Sequence, residues 1–115
     1  MKRCFTAALL ASIAAAAAAG TVVIENSTGG WDIIHVYIAA FGARTWGADR
    51  LEDSVLADGD AWSLRVPSGI YSIRLVDEDG DTYTRMSVPV MDTLRWEVTL
   101  EDLDGSIPST GVSSG

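Results

Sequence analysis

Two segments that flank an Asp-Gly pair constrain the fold of this chain most strongly. Residues 70–77 and 82–90 alternate β-branched, aromatic or aliphatic side chains with polar ones, and Asp79-Gly80 lies between them. An Asp-Gly pair in this position is a strong signal for a β-hairpin. With the pair at the centre of the turn, we expect Arg74 to lie opposite Arg85. One face of the hairpin then points into a core: Tyr71, Ile73, Leu75, Thr84, Met86 and Val88.

Other short segments of the same kind predict that the whole domain is all-β. They lie at residues 21–26, 31–40, 61–66 and 94–100, with turn residues between them. We also expect a helical turn at 46–51 and a short strand at 54–56. Short strands at this spacing are typical of a sandwich or a small barrel. We therefore predict a single small β-sandwich, immunoglobulin-like or prealbumin-like, of six to seven strands over residues 20–101, followed by a flexible C-terminal tail over residues 102–115.

The N-terminal residues 1–19 have the pattern of a secretory signal peptide. Lys2 and Arg3 precede a short run of small and apolar residues that ends in alanines, next to Gly20. This run is too short and too rich in alanine to favour a membrane-spanning helix. A lipoprotein is not favoured either, because its acylated cysteine follows such a run, whereas Cys4 precedes it. The sequence thus predicts an N-terminal signal helix that is cleaved, and an exported protein that is periplasmic or extracellular.

Removal of this segment leaves a strongly acidic domain. Lys2 and Arg3 are two of the eight basic residues, so six arginines remain against 16 acids, a formal charge of −10. Such a surface repels nucleic acids and anionic membranes, so we expect no nucleic-acid partner and no membrane binding after cleavage. The same charge opposes open-ended pairing of edge strands, and we expect a monomer or a closed dimer. The sole cysteine, Cys4, leaves with the signal, so no disulfide is expected.

The sharpest cluster of acidic residues lies at the tip of the predicted hairpin. Asp77, Asp79 and Asp81 are spaced two apart around Gly80. Crowded carboxylates suit a hard divalent cation, so one hypothesis is a calcium site formed by these three residues. The alternative is a solvated turn, because Asp and Gly are favoured in turns for conformational reasons. No cofactor other than Ca²⁺ is indicated.

A second candidate site is the segment around Trp46 and Asp49, between two predicted strands. A tryptophan in an irregular loop beside an acid is a candidate contact for a protein or carbohydrate partner. In the alternative interpretation the tryptophan caps the end of the core and Asp49 anchors its own loop. The chain has one histidine, His35, and no serine in a nucleophile-elbow motif. We therefore predict that the protein is not an enzyme.

Several short motifs, in their order along the chain, make this sequence similar to a group of small exported bacterial β-sandwich proteins of uncharacterised function. The resemblance spans residues 22–100, and its motifs include Ile24-Glu25-Asn26-x-Thr28-Gly29, Trp46-Gly47-x-Asp49-x-Leu51, Pro67-x-Gly69-x-Tyr71-x-Ile73-Arg74 and Asp77-x-Asp79-Gly80-Asp81. It implies export and a sandwich fold, and it implies no catalytic residue. The third motif is also similar to a strand of transthyretin-like and carboxypeptidase-regulatory-like modules, which are binding or spacer domains. The resulting expectation is a non-catalytic binding or structural module, with a calcium-stabilised domain as the alternative.

Overall fold

A computed structural model describes residues 18–105, and within them the chain is all-β, as predicted, apart from one short 3-10 helix. The signal peptide predicted for residues 1–19 lies almost wholly outside the described residues. No helix in the described part has the length and apolar character needed to cross a membrane. The strands are β1 (Ala19–Asn26), β2 (Ile33–Ala40), β3 (Ala61–Pro67), β4 (Gly69–Asp77), β5 (Thr82–Val90) and β6 (Thr93–Val98).

The strands form two three-stranded sheets that share one core. The first has the order β3-β1-β6 and the second the order β2-β4-β5. In the first sheet β1 runs antiparallel to β3 and parallel to β6. In the second sheet all neighbours are antiparallel. Both sheets contribute alternate side chains to a single cluster of buried residues, including Val22, Ile24, Val36, Ile38, Ile73, Leu75, Trp96 and Val98.

Gly20 allows the two sheets to approach closely at one end of β1. A Cβ placed at this position would lie 2.8 Å from Val90 Cγ1 and 3.1 Å from the Val90 carbonyl oxygen. Real Cβ atoms are not found so close to another heavy atom, so only glycine fits against the end of β5 without a shift of the backbone.

The register of the β4–β5 hairpin differs by one residue from the predicted one. Arg74 pairs with Thr84 rather than with Arg85, and Leu75 pairs with Tyr83. The reason is the turn: the Asp77 N–H donates to the Asp81 carbonyl, which closes a three-residue loop with Gly80 at φ 85°. A three-residue loop with glycine in the left-handed region is the next most common hairpin connection after the two-residue one.

A bulge in β5 restores the predicted register beyond this point. Tyr71 pairs with Val88 and Ile73 with Arg85, so Met86 and Ser87 both lie opposite Ser72. Ser87 has φ 56°, and its N–H donates to Ser72 Oγ at 3.2 Å. The shifted register before the bulge, in which Leu75 pairs with Tyr83 and Ile73 with Arg85, places Tyr83 in the core, where it is completely buried. The same shift points Met86, predicted to be internal, outwards, and it is 64% exposed.

The connection between β2 and β3 is irregular. The helical turn expected at 46–51 is not formed, and the strand expected at 54–56 is reduced to a single bridge between Leu56 and Ile33. Arg50 N–H donates to the Val36 carbonyl, which places this connection along the free edge of β2.

The first residues of the predicted tail lie against β5. Leu100–Asp102 form the 3-10 helix, and Leu103 makes a bridge with Tyr83. Asp104 accepts hydrogen bonds from the Thr84 N–H at 2.9 Å and from the hydroxyl groups of Thr82 and Thr84. This contact covers the start of the β5 edge, which is otherwise open to pairing. Residues 106–115 lie outside the described part of the chain.

Candidate functional site

A cleft of about 280 Å³ lies where the chain leaves β2. It is lined by residues 39–46 from the end of β2 and the loop after it, by Ser72 of β4, and by Met86 and Ser87 of β5. Arg74, the neighbour of buried Ile73 in β4, points to the outer face of its sheet, since successive side chains alternate. The Trp46 ring packs on this arginine, with 4.9 Å from the guanidinium carbon to the ring centre. The loop after β2 therefore folds back over the outer face of the second sheet and encloses the cleft there.

A chain of contacts fixes the position of Trp46. Arg74 Nε donates to Thr84 Oγ1 at 3.0 Å, and the Thr84 hydroxyl bonds to the Asp104 carboxylate. Burial alone would raise the pKa of the Asp104 carboxyl, but hydrogen bonds from Thr84 and Thr82 and the charge of Arg74 outweigh burial and hold it below its usual value. The guanidinium thus lies between the Trp46 indole and the Thr84 hydroxyl, which is itself bonded to the Asp104 carboxylate.

The cleft presents exposed apolar side chains. Phe41 is 73% exposed and Met86 is 64% exposed, and both line the cleft. Met86 points outwards because of the one-residue shift in the β4–β5 register described above. Two large apolar side chains that flank a concave surface are typical of ligand sites rather than of a scattered apolar surface.

The charge of the cleft is opposite in sign to that of the protein. None of the 16 acidic residues, all of which lie in the described part, lines the cleft, whereas Arg44 does. Within residues 18–105, only Arg85 and Arg95 are paired with a carboxylate, Arg85 with Asp102 and Arg95 with Glu25. Arg44 is therefore an exposed cation with no ion pair among the described residues.

Asp49, predicted to contact a partner together with Trp46, is used inside the protein. Its carboxylate accepts the Val36 N–H at 2.9 Å and the Leu51 N–H at 3.0 Å, and it bonds to His35 Nδ1 at 2.8 Å. Burial alone would raise the pKa of the Asp49 carboxyl, but the hydrogen bonds with His35 and with the two backbone N–H groups outweigh burial and lower it. The structure places Trp46 in the cleft wall and Asp49 at the anchor of the loop that carries it.

The Asp49 anchor leads to a prediction for loop stability. We expect Asp49→Ala to lower the free energy of unfolding by about 1–3 kcal/mol, because two backbone N–H groups lose their acceptor. Urea unfolding at neutral pH measures the loss, and Asp53→Ala, an exposed acid of the same loop, serves as the control with a change within about 0.5 kcal/mol. The lowered pKa means that the Asp49 contribution is present above the unfolded pKa and lost as the pH falls through the folded one. Equal effects of the two variants would contradict the anchor.

The predicted calcium residues have different environments. Asp77 is 2% exposed, and its Oδ1 accepts the N–H groups of Asp79 and Asp81, each at 3.0 Å. Its Oδ2 accepts the Tyr83 hydroxyl at 2.8 Å. Asp79 and Asp81 are exposed. Within residues 18–105, no three acidic, histidine or cysteine side chains are grouped to hold a metal ion. The role visible for Asp77 is to close the turn, and calcium binding stays a prediction.

The buried Tyr83 predicts a loss of stability at alkaline pH. Burial and the hydrogen bond to Asp77 raise the pKa of the Tyr83 phenol far above its usual 10.0. Between the unfolded and folded pKa values the unfolded chain has lost a proton that the native state retains, so stability falls as the pH rises above about 10. The Tyr83 contribution falls by up to about 1.4 kcal/mol per pH unit. The only lysine is Lys2, so few other groups titrate in this range.

Tyr83→Phe removes this titration and isolates its effect. The variant is expected to be less stable than the wild type at pH 8, because Asp77 loses a buried donor. That difference should shrink as the pH is raised from about 10 to 11.5, as measured by urea unfolding at each pH. If the difference in unfolding free energy between the wild type and Tyr83→Phe stays constant over this range, Tyr83 titrates alike in the folded and unfolded states.

Of the residues that line the cleft, the sequence predicts a binding role only for Trp46, because this tryptophan stands in an irregular segment. Phe41 carries a comparable signal, as an aromatic residue between Ala40 and Gly42 beyond the end of a predicted strand. Met86 carries none, because its exposure depends on the register that the turn sets.

Comparisons of the chain with protein-family models, with curated proteins and with solved structures found no match. The likeness to small exported β-sandwich proteins therefore stays a prediction.

Proposed function

We propose that the protein is an exported, non-catalytic β-sandwich domain that binds a small apolar ligand in the cleft between Phe41, Trp46 and Met86. Two sheets with a shared core support the sandwich. The signal-like segment at residues 1–19 supports export. Export is tested by expression of the full chain in a bacterial host and determination of the mass of the exported product. We expect a product that lacks residues 1–19. A product that retains these residues would contradict the proposal of a cleaved signal peptide.

The observation that carries the binding proposal is the exposed apolar pair across the cleft. Phe41 and Met86 are 73% and 64% exposed, and both line a concave surface of about 280 Å³. A ligand of the size of a substituted naphthalene would bury part of both side chains, and such burial contributes about 25 cal/mol per Å². The Ser72 hydroxyl already accepts the Ser87 N–H. Phe41, Met86 and the alanines at 39, 40 and 43 form the apolar part of the lining, and this part favours a ligand with an apolar body.

Calorimetric titration with naphthylethanol, an uncharged probe, tests the proposal. We expect saturable binding to the wild type and binding about tenfold weaker to Phe41→Ala, since the loss of one apolar wall is worth about 1.4 kcal/mol. Val55→Ala is the matched control, because Val55 is also an exposed apolar residue, at 53%, and does not line the cleft. Absence of binding to the wild type, or equal losses in the two variants, would contradict the proposal.

A further inference from the structure

We propose that the cleft selects anionic ligands, namely an aromatic or acyl group that carries a carboxylate. This inference rests on the proposed function, because it specifies the ligand class of the same cleft. The overall charge predicts the opposite preference. A chain with a formal charge of −8 attracts cations and repels anions at long range. A preference for anions therefore has to come from groups inside the cleft.

Arg44 is the group that reverses the sign locally. It lines the cleft together with Phe41 and Trp46, and no acidic residue does so. It is exposed and forms no ion pair with a carboxylate of the described residues. A guanidinium presents several N–H donors in a plane, a geometry that suits a carboxylate.

Arg74 has a different role at the same site. Its guanidinium lies against the Trp46 ring and donates to Thr84, which in turn bonds to Asp104. The pKa of the Asp104 carboxyl is lowered mainly by the hydrogen bonds from Thr84 and Thr82, and the charge of Arg74 contributes to the same effect. Arg74 therefore holds the tryptophan wall in place, and Arg44 remains as the cation available to a ligand.

The apolar and cationic parts of the cleft lie next to each other in the chain. Phe41 and Arg44 are three residues apart in the same loop, and Met86 faces them from β5. At physiological salt, the repulsion between a bound anion and acidic residues more than about 8–10 Å away is largely screened. The attraction between the anion and Arg44 in direct contact is screened much less. A carboxylate at one end of an aromatic or acyl body can thus contact Arg44 while the body lies against Phe41 and Met86.

Three probes that share a naphthyl body separate these effects by calorimetry at neutral pH: naphthylacetate, naphthylethanol and naphthylethylamine. We expect naphthylacetate to bind about tenfold more tightly than naphthylethylamine, as one charge-assisted hydrogen bond allows. Arg44→Gln should abolish this preference, with a loss of affinity for naphthylacetate that is about tenfold larger than the loss for naphthylethanol. Arg65→Gln is the matched control: Arg65 is an exposed arginine of β3 without an ion pair among residues 18–105, and its substitution changes the net charge by the same amount.

The outcomes distinguish this inference from the proposed function. If naphthylethanol binds and the two charged probes bind equally, or the amine binds more tightly, the selection for anions is wrong and the apolar cleft stands. The selection is also wrong if Arg44→Gln and Arg65→Gln have the same effect on naphthylacetate. If none of the three probes binds, the proposed function fails together with the selection.

Discussion

Replacement of Asp77 by alanine is expected to lower the free energy of unfolding by about 3–5 kcal/mol, because it leaves three donors without their acceptor. Two are the N–H groups of Asp79 and Asp81, and the third is the hydroxyl of Tyr83, which is completely buried. Urea or thermal unfolding measures the loss. Asp77→Asn keeps an oxygen for the turn and should cost less than Asp77→Ala.

Asp79→Ala is the control, and it also separates the turn from the calcium hypothesis. Asp79 is exposed, so as part of a turn its side chain contributes within about 0.5 kcal/mol. Calcium at a hundredfold excess over its dissociation constant would stabilise a true site by about 2.7 kcal/mol, and Asp79→Ala would remove that gain. We expect unfolding midpoints that are equal in calcium and in chelator. A calcium-dependent rise that is lost in Asp79→Ala would establish a metal site instead.

The second large effect is expected at Asn26, where Asn26→Asp should cost about 3–5 kcal/mol. The Asn26 side chain is completely buried and its amide group donates to the carbonyls of Trp31 and Leu56, at 2.7 Å and 2.9 Å. Its oxygen accepts the N–H and the hydroxyl of Thr28. A carboxylate of the same shape would place a buried charge against two carbonyl oxygens. Denaturant unfolding near pH 7 measures the effect.

Ser27→Ala provides the control for this site, since the Ser27 hydroxyl makes only a 3.4 Å contact with exposed Glu97. A cost of Asn26→Asp no greater than that of Ser27→Ala would show that the asparagine network contributes little. The same burial bears on Asn26-Ser27-Thr28, which has the pattern of a glycosylation site. Both amide hydrogens are donated inside the folded domain, so a glycan at Asn26 is incompatible with this structure.

The strands could be predicted from sequence because their alternation records which side faces the core. β1 alternates buried and partly buried residues from Gly20 to Asn26, and β4 does so from Ile73 to Asp77. The pairing register could not be predicted in the same way. An Asp-Gly pair fits a two-residue or a three-residue loop, and the choice follows from Asp77, whose buried carboxylate binds the backbone of the turn. A slip of one residue exchanges the two faces of a strand, which is why Tyr83 is internal and Thr84 is not.

The candidate site was predictable only in part for a related reason. Trp46 has a local signal, since a large aromatic residue in an irregular segment requires a packing partner. The partner of Trp46 is Arg74, which lies in β4, on a face of the sheet that the sequence alone does not assign. The role of Asp49 is likewise set by its contacts with the backbone groups of Val36 and Leu51. The outward position of Met86 is set by the shifted register of the β4–β5 hairpin.

The most direct test of the central claim, that the cleft is a ligand site, is an amide NMR titration of the protein with naphthylethanol. We predict that shift changes concentrate on residues 39–46 and on Ser72, Met86 and Ser87, with the Trp46 indole N–H among the most affected signals. Changes that are absent, or that are scattered over both sheets without concentration at these residues, would contradict the assignment of this cleft as the binding site.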